Sequence, residues 1–142
     1  MIKKHGSAIW NGSIREGSGT VSTQSGVLDG AQYGFKKRFE DEPGTNPEEL
    51  VGAAHASCFA MALSLQLEEA GMIADELSAR STVFLDKDDD GFSVKKVHLD
   101  LTAKIPDANE AKFQEAAAAA KAGCPISKLL AGAEITLDAK LI

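Results

Sequence analysis

The sequence predicts an α+β fold in which mostly antiparallel sheets surround a long buried central helix. Two observations support this class. Residues 45–71 form one strongly apolar helical stretch, and the predicted strands occur in groups joined by short turns, instead of alternating with helices as in a doubly wound parallel sheet. The length of 142 residues suits a single domain, 1–142, with a sizeable core.

Three strands are predicted before the central helix. The first covers residues 7–10 and ends at an Asn-Gly turn, and the second covers residues 17–25, which are rich in Thr, Ser and Val. The third covers residues 33–39, where aromatic and basic side chains would lie on opposite faces. A loop then leads into the helix.

Local signals define both ends of the central helix. Thr45 or Asn46 can serve as N-cap, Pro47 suits the first helical position, and Gly71 can adopt the left-handed conformation that closes a helix. Between these ends nearly every face is apolar, which predicts burial on all sides. Polar residues interrupt the stretch, which argues against a bilayer span. Because a 142-residue monomer would have difficulty covering so apolar a helix, we expect a dimer whose second subunit covers part of it.

Five elements are predicted after the central helix. Two strands separated by an acidic turn form a hairpin, and the alternation of the second strand slips between Val94 and Val97, which indicates a bulge. An alanine-rich helix, a shorter helix and a last alternating strand follow. In chain order, these elements cover residues 77–85, 92–105, 106–122, 124–130 and 133–141.

Composition and charge exclude several classes of function. A formal net charge of −6 argues against binding to nucleic acid or to anionic membranes, because both need basic patches. The first ten residues lack the apolar run of a signal peptide, so a cytoplasmic location is expected. In that reducing compartment the two cysteines are expected to be catalytic, metal-binding or inert, and not a permanent disulfide.

One histidine shares a helix face with a cysteine, since His55 precedes Cys58 by three residues. The favoured interpretation is a histidine that is hydrogen-bonded within a buried interface. A Cys–His nucleophile pair, as in thiol hydrolases, is an alternative. A metal site formed with Cys124 is another, although it would need a fourth ligand.

The two cysteines lie in different local environments. Cys124 occupies the N-cap position of a new helix, where backbone N–H groups and the helix dipole favour a thiolate. Cys58, in the middle of an apolar helix, should have a raised pKa unless a cation approaches it. Arg38 and Arg15, in the N-terminal region, are the permanently charged candidates for that cation.

Several segments around the two cysteines resemble the OsmC/Ohr family of hydroperoxide reductases. They are NPEELVGAAHASCF, AMALSL, KAGCPIS and AEITLDAKL, and the N-terminal GTVSTQSGVL and YGFKKRFE fit the OsmC branch. The resemblance covers essentially the whole chain. It implies an OsmC-like fold, an intertwined homodimer with active sites at the subunit interface, and a cysteine-based peroxidase that acts on organic hydroperoxides during oxidative or osmotic stress.

The resemblance also implies roles for individual residues. Cys58 matches the peroxidatic cysteine, which would attack the peroxide and become a sulfenic acid, and Cys124 matches the resolving cysteine, which would close a disulfide with it. Arg38 and Glu48 match the Arg–Glu pair beside the reactive thiol, with Arg15 as second choice for the arginine. A dithiol such as a lipoyl protein is the implied reductant, and neither a metal nor an organic prosthetic group is implied.

Helix geometry constrains how these residues can meet. The ten residues between Glu48 and Cys58 correspond to a rise of about 15 Å on a straight helix. Either the helix is interrupted, or Glu48 or Arg38 serves a site across the dimer interface; we expect shared sites. Two alternative functions are a redox-responsive small-ligand-binding protein without turnover, and a thiol hydrolase that uses Cys58 with His55.

Overall fold

The computed structural model describes residues 1–142 and contains six strands and four helices. The chain divides into two compact units, Met1–Leu50 and Val51–Ile142, and the first turn of the long helix belongs to the first of them. The predicted α+β class is confirmed, and in chain order a long helix separates two groups of strands. In chain order the elements are β1 (Gly6–Asn11), β2 (Ser18–Thr23), β3 (Ala31–Tyr33), α1 (Phe35–Phe39), α2 (Pro47–Glu69), β4 (Glu76–Asp88), β5 (Gly91–Lys104), α3 (Glu110–Gly123), α4 (Pro125–Leu129) and β6 (Glu134–Leu141).

The first unit contains a three-stranded antiparallel sheet in the order β1-β2-β3. The first two predicted strands are confirmed, but the strand predicted for residues 33–39 is wrong, because the chain leaves the sheet at Gly34 and forms α1. The amide of Arg38 donates to the carbonyl oxygen of Gly34 at 3.0 Å. The rings of Phe35 and Phe39 lie 4.8 Å apart, since residues four apart share a helix face.

The ends of α2 follow the predicted signals. Asn46 is the N-cap, since its Oδ1 accepts the amide of Glu49 at 2.8 Å, and Pro47 is the first helical residue. Gly71 has a φ of +78°, and the next amide, of Met72, donates back to the carbonyl oxygen of Leu67 at 2.8 Å. The helix is uninterrupted between these caps.

Only one face of α2 is buried by its own chain. That face repeats every three or four residues and packs into the core formed with β5 and α3. On another face Met61 is 76% exposed and Leu65 is 55% exposed, so the predicted burial on all sides is not achieved within this chain. The length and composition of α2 alone would allow a membrane span, but its buried face identifies it as a core helix. The buried residues are Gly52, His55, Phe59, Leu63 and Leu67.

The second unit contains a sheet in the order β4-β5-β6. β4 and β5 form the predicted antiparallel hairpin, and the predicted bulge is confirmed, because Phe84 pairs with Lys96 while Leu85 pairs with Val94 and leaves Lys95 unpaired. β6 pairs with β5 in parallel, since the chain returns to the sheet through α3 and α4.

The two C-terminal helices start at side-chain caps. The start of α3 was predicted too early, at residue 106, because the N-cap is Asn109, whose Oδ1 accepts the amide of Lys112 at 3.0 Å. α4 starts as predicted, with Cys124 as its N-cap and Pro125 as its first residue. Cys124 is fully buried and belongs to the apolar core of this unit.

Candidate active site

The two cysteines are neighbours in the second unit, where the middle of α2 faces the start of α4. Both are free thiols, and they lie close enough for the Cys124 side chain to raise the pKa of Cys58. An open pocket of about 420 Å³ with mostly apolar walls lies against both residues, of which Cys58 is partly exposed and Cys124 is buried. The folded chain thus brings together two thiols that are 66 positions apart in the sequence (124 − 58). The apolar wall consists mainly of Met61, Ala62, Leu65, Ala119, Ala120 and Pro125.

Burial raises the pKa of the half-buried Cys58 thiol, as expected for a cysteine in the middle of an apolar helix. A hydrogen bond from the backbone of Ile126 opposes this effect, whereas the adjacent Cys124 side chain adds to it. Within residues 51–142, no cationic side chain contributes to the pKa of Cys58. The thiolate therefore lacks a positive partner from its own unit.

Cys124 forms two hydrogen bonds with Ser127. Its Sγ accepts the amide N–H of Ser127 at 3.2 Å, which caps α4, and its S–H donates to the Ser127 hydroxyl oxygen at 3.1 Å. Ser127 occupies the third position of α4, where the amide has no partner within the helix. The helix start therefore fixes both the position of the sulfur and the direction of its proton.

His55 is fully buried, and hydroxyl groups engage both of its ring nitrogens. Nδ1 lies 3.0 Å from the Oγ of Ser81 on β4, and Nε2 lies 2.8 Å from the Oγ of Ser127. Gly52 allows this approach, because a Cβ there would lie 2.8 Å from the carbonyl oxygen of Ser81. Burial also lowers the pKa of His55, which favours the neutral imidazole.

These partners bear on the two alternatives for His55. Since both ring nitrogens bond to serine hydroxyls, His55 forms no hydrogen bond with Cys58, and the Cys–His nucleophile pair is not formed. Nor do His55, Cys58 and Cys124 form a metal-ligating cluster. The one set of three such groups whose ligand atoms lie within 4.8 Å of each other is elsewhere, on β5 and β6.

Arg38 and Glu48, in the first unit, form a two-pronged ion pair. Nη2 of Arg38 lies 2.6 Å and its Nε 3.0 Å from Oε1 of Glu48. The Glu48 side chain is 16% exposed and that of Arg38 is 36% exposed, so the guanidinium is held but accessible. Arg15, the second choice, forms no ion pair; its guanidinium lies over the ring of Phe35, 4.9 Å from the centroid.

Comparison with known proteins identifies the family. Residues 39–140 match the family model OsmC, described as OsmC-like protein. The chain belongs to the OsmC-like family. It is 52% identical over 140 residues to peroxiredoxin OsmC of Escherichia coli (strain K12), with 99% of this chain and 97% of the relative covered. It is 33% identical over 125 residues to the organic hydroperoxide resistance protein OhrB of Bacillus subtilis (strain 168), with 87% of this chain and 88% of OhrB covered.

The fold of this OsmC-like chain agrees with that assignment. The crystal structure of OhrB from Bacillus subtilis aligns with a TM-score of 0.71 and covers 96% of this chain and 98% of that chain, at 28% identity over the aligned positions. The family resemblance predicted from the cysteine-containing segments is thereby confirmed.

Two residues of the OsmC-like site were missed in the sequence. Ser127 had a usable signal, because a residue three positions after an N-cap offers its amide to the cap side chain. Ser81 had none, since only the packing of β4 against α2 brings its hydroxyl to His55.

A separate polar cluster lies on the strands of the OsmC-like chain. Nε2 of His98 lies 3.4 Å from a carboxylate oxygen of Asp100 and 3.4 Å from one of Asp138, and its Nδ1 lies 2.6 Å from the hydroxyl of Thr136. Asp100 and Asp138 are well exposed, and Asp100 pairs across the sheet with Arg80. We interpret this arrangement as a network of polar and charged side chains on the protein surface.

Proposed function

We propose that this OsmC-like protein is a thiol-dependent peroxidase that reduces organic hydroperoxides to alcohols. The names of its relatives, a peroxiredoxin and an organic hydroperoxide resistance protein, support a peroxidase-type role. The observation that carries the proposal is that two free thiols lie side by side at an apolar pocket. One thiol can react there, and the other is close enough to form a disulfide with it.

The proposed reaction uses both cysteines in turn. The Cys58 thiolate attacks the peroxide oxygen that carries hydrogen; the O–O bond breaks, and an alkoxide leaves that takes up a proton to give the alcohol. Cys58 is then a sulfenic acid. The sulfur of Cys124 attacks it, a disulfide forms and water is released. A dithiol, such as a lipoyl protein, accepts the oxidation by exchange and returns both cysteines to thiols.

The pocket beside the cysteines supports an alkyl substrate. Its walls are mostly apolar, so an alkyl or lipid chain that leaves water for this surface contributes favourable free energy, whereas hydrogen peroxide cannot. The open shape leaves room for chains of different lengths. We therefore assign organic hydroperoxides as the substrate class.

The cation that Cys58 needs is proposed to come from a second subunit. α2 is uninterrupted, so Glu48 and Cys58 are separated by about 15 Å along one helix axis. A homodimer formed through the exposed apolar face of α2 would cover Met61 and Leu65 and present the Arg38–Glu48 pair to the partner's thiol. A guanidinium at that point would lower the pKa that burial raises.

The direct test is to count free thiols and measure the intact mass before and after one equivalent of an alkyl hydroperoxide. The proposal expects the loss of two thiols per chain, a mass decrease of two hydrogens and one equivalent of alcohol. Unchanged thiols would favour the alternative, a redox-responsive small-ligand-binding protein without turnover. That alternative is suggested by the same apolar pocket and predicts saturable binding of the alkyl chain without alcohol formation.

Replacing Arg38 with glutamine is expected to slow the oxidation of Cys58 about 10- to 100-fold at neutral pH, since losing one cationic partner raises a thiol pKa by one to two units. The thiolate is the reactive form, so the rate rises with pH through the Cys58 pKa, and the whole profile should move to higher pH in Arg38→Gln. Stopped-flow measurements of the first oxidation from pH 5 to 10 would show this shift.

The matched control for that experiment is Arg15→Gln, because Arg15 carries the same charge in the same unit but contacts Phe35 instead of Glu48. It should retain the rate and pH profile of the wild type. An Arg38→Gln profile that coincides with the wild-type profile would contradict the proposed cationic role.

Replacing Met61 with glutamate is expected to dissociate the homodimer, because it buries a carboxylate against the partner's helix. Sedimentation at several protein concentrations would measure a rise of at least about 100-fold in the dimer dissociation constant, the effect of roughly 3 kcal/mol. Ile73→Glu is the control, since Ile73 is 75% exposed, close to the 76% of Met61, and lies beyond the end of α2. Equal effects of the two changes would rule out the α2 face as the interface.

A further inference from the structure

A continuous hydrogen-bonded chain runs from Cys124 into the core. It passes from the Cys124 sulfur to the Ser127 hydroxyl, from that hydroxyl to His55 and from His55 to Ser81, and Cys58 lies beside Cys124 at its outer end. We call Ser127, His55 and Ser81 the hydroxyl–imidazole relay. The peroxidase reaction described above leaves these three side chains without a role, although His55 is fully buried.

The donors in this chain can be assigned one after another. The Cys124 S–H donates to the Ser127 oxygen at 3.1 Å, so the single proton of that hydroxyl is free to donate to Nε2 of His55 at 2.8 Å. His55 then carries its proton on Nδ1 and donates it to the Ser81 oxygen at 3.0 Å. The donors of these three side-chain hydrogen bonds therefore all point away from Cys124, and the chain passes through a neutral imidazole whose Nε2 accepts.

We infer that the relay removes the proton of Cys124 when the disulfide forms, with Ser127 as the group that touches the reacting sulfur and His55 as the positioning residue that holds the proton. The inference rests on the proposed peroxidase function and assigns a mechanism to its second step. It also accounts for the placement of a hydrogen-bonded imidazole behind a buried cysteine.

The step balances as follows. The Cys124 proton moves to the Ser127 oxygen while the Ser127 proton moves to Nε2 of His55, which leaves a thiolate and an imidazolium. The thiolate attacks the Cys58 sulfur, the S–S bond forms, the S–O bond breaks and hydroxide leaves. The hydroxide takes up the proton that His55 gives back. The products are one disulfide, one water and a neutral His55, and no further oxidant or reductant is needed.

Burial supports this assignment at both ends of the relay. A buried thiol cannot transfer its proton directly to solvent, and Cys124 is fully buried. The lowered pKa of His55, caused by its burial, keeps the ring neutral and able to accept at neutral pH. The cost of a buried imidazolium makes it short-lived, which fits a proton that is held only until hydroxide leaves.

The experiment separates the two oxidation steps in the pre-reduced full-length protein. After mixing with one equivalent of tert-butyl hydroperoxide, samples are quenched at intervals and weighed intact. The sulfenic acid is heavier than the reduced chain by one oxygen, and the disulfide is lighter by two hydrogens. Loss of hydroperoxide reports the first step, and conversion of the heavier into the lighter species reports the second.

Two variants test the relay independently. Ser127→Ala removes the hydroxyl but keeps the backbone amide that donates to the capping sulfur of Cys124. His55→Gln keeps a hydrogen-bonding group that cannot take up a proton. In both, hydroperoxide should disappear at the wild-type rate while disulfide formation slows about 100-fold, the usual contribution of an acid–base group, so the sulfenic acid accumulates. Ser127→Thr retains a hydroxyl and should restore the second step.

Ser57→Ala is the matched control, because Ser57 directly precedes Cys58 and lies outside the relay. Its exposed hydroxyl donates only to the carbonyl oxygen of Ala54, at 3.0 Å. Both steps should keep the wild-type rate. If Ser127→Ala and His55→Gln form the disulfide as fast as the wild type, or slow both steps equally, the relay is refuted while the peroxidase stands. A wild type that consumes no hydroperoxide would instead overturn the proposed function and this inference with it.

Discussion

Replacing Cys58 with serine is expected to abolish hydroperoxide reduction, with a turnover at least about 1,000-fold below that of the wild type, because losing the nucleophile removes the covalent step altogether. A serine hydroxyl is almost fully protonated at neutral pH, and its oxygen is a far poorer nucleophile toward peroxide oxygen than sulfur. The measurement is the initial rate of alcohol formation from an alkyl hydroperoxide with excess dithiol.

Cys124→Ser provides the comparison that makes this result specific. It leaves Cys58 intact, so in the absence of dithiol one equivalent of hydroperoxide should still be consumed at the wild-type rate, after which the sulfenic acid persists. The side chains are nearly equal in volume, and both variants should unfold at about the wild-type temperature. Residual turnover in Cys58→Ser within tenfold of wild type would show that another group reacts with peroxide.

Replacing Phe59 with alanine is expected to lower the free energy of unfolding by about 3–5 kcal/mol, since the change leaves a cavity in a close-packed core. Phe59 is fully buried on the inner face of α2 and belongs to the same apolar cluster as Leu63 and Phe113. Denaturant unfolding of the reduced protein, followed by circular dichroism, would measure the change.

The control for Phe59 is the same substitution at Phe84, which is 45% exposed on β4. Phe84→Ala removes less buried surface and should cost about 1 kcal/mol or less. Equal losses at the two positions would mean that the face of α2 that carries Phe59 is not the core face of the folded protein.

The ends of the helices could be predicted because they depend on local chemistry. Asn46 and Pro47 at the start of α2, Gly71 at its end and Cys124 before α4 all act on backbone groups within a few residues. The slip in β5 was also local, since one unpaired residue, Lys95, shifts the alternation of the sequence.

Features set by distant contacts could not be predicted in the same way. Residues 33–39 alternate as a strand would, and they also place Phe35 and Phe39 four residues apart as a helix would, so the pattern did not decide between them. Nothing in β6 itself indicates a parallel partner. The two serines at His55 come from β4 and α4, so their approach depends on the packed structure.

Two roles of the Cys124 sulfur, helix cap and disulfide partner, interfere with each other. The sulfur is the acceptor at the start of α4, and in the proposed cycle it must also bond to Cys58. A side-chain cap stabilises a helix by about 1 kcal/mol. Because a disulfide sulfur accepts hydrogen bonds poorly, α4 would lose most of this stabilisation when Cys124 is oxidised. The reduction potential of the pair would then be about 20 mV higher than with an independent cap, which makes the disulfide easier for a dithiol to reopen. Reduction restores the cap of α4, and the free energy regained there favours the reduced, dithiol form of the enzyme.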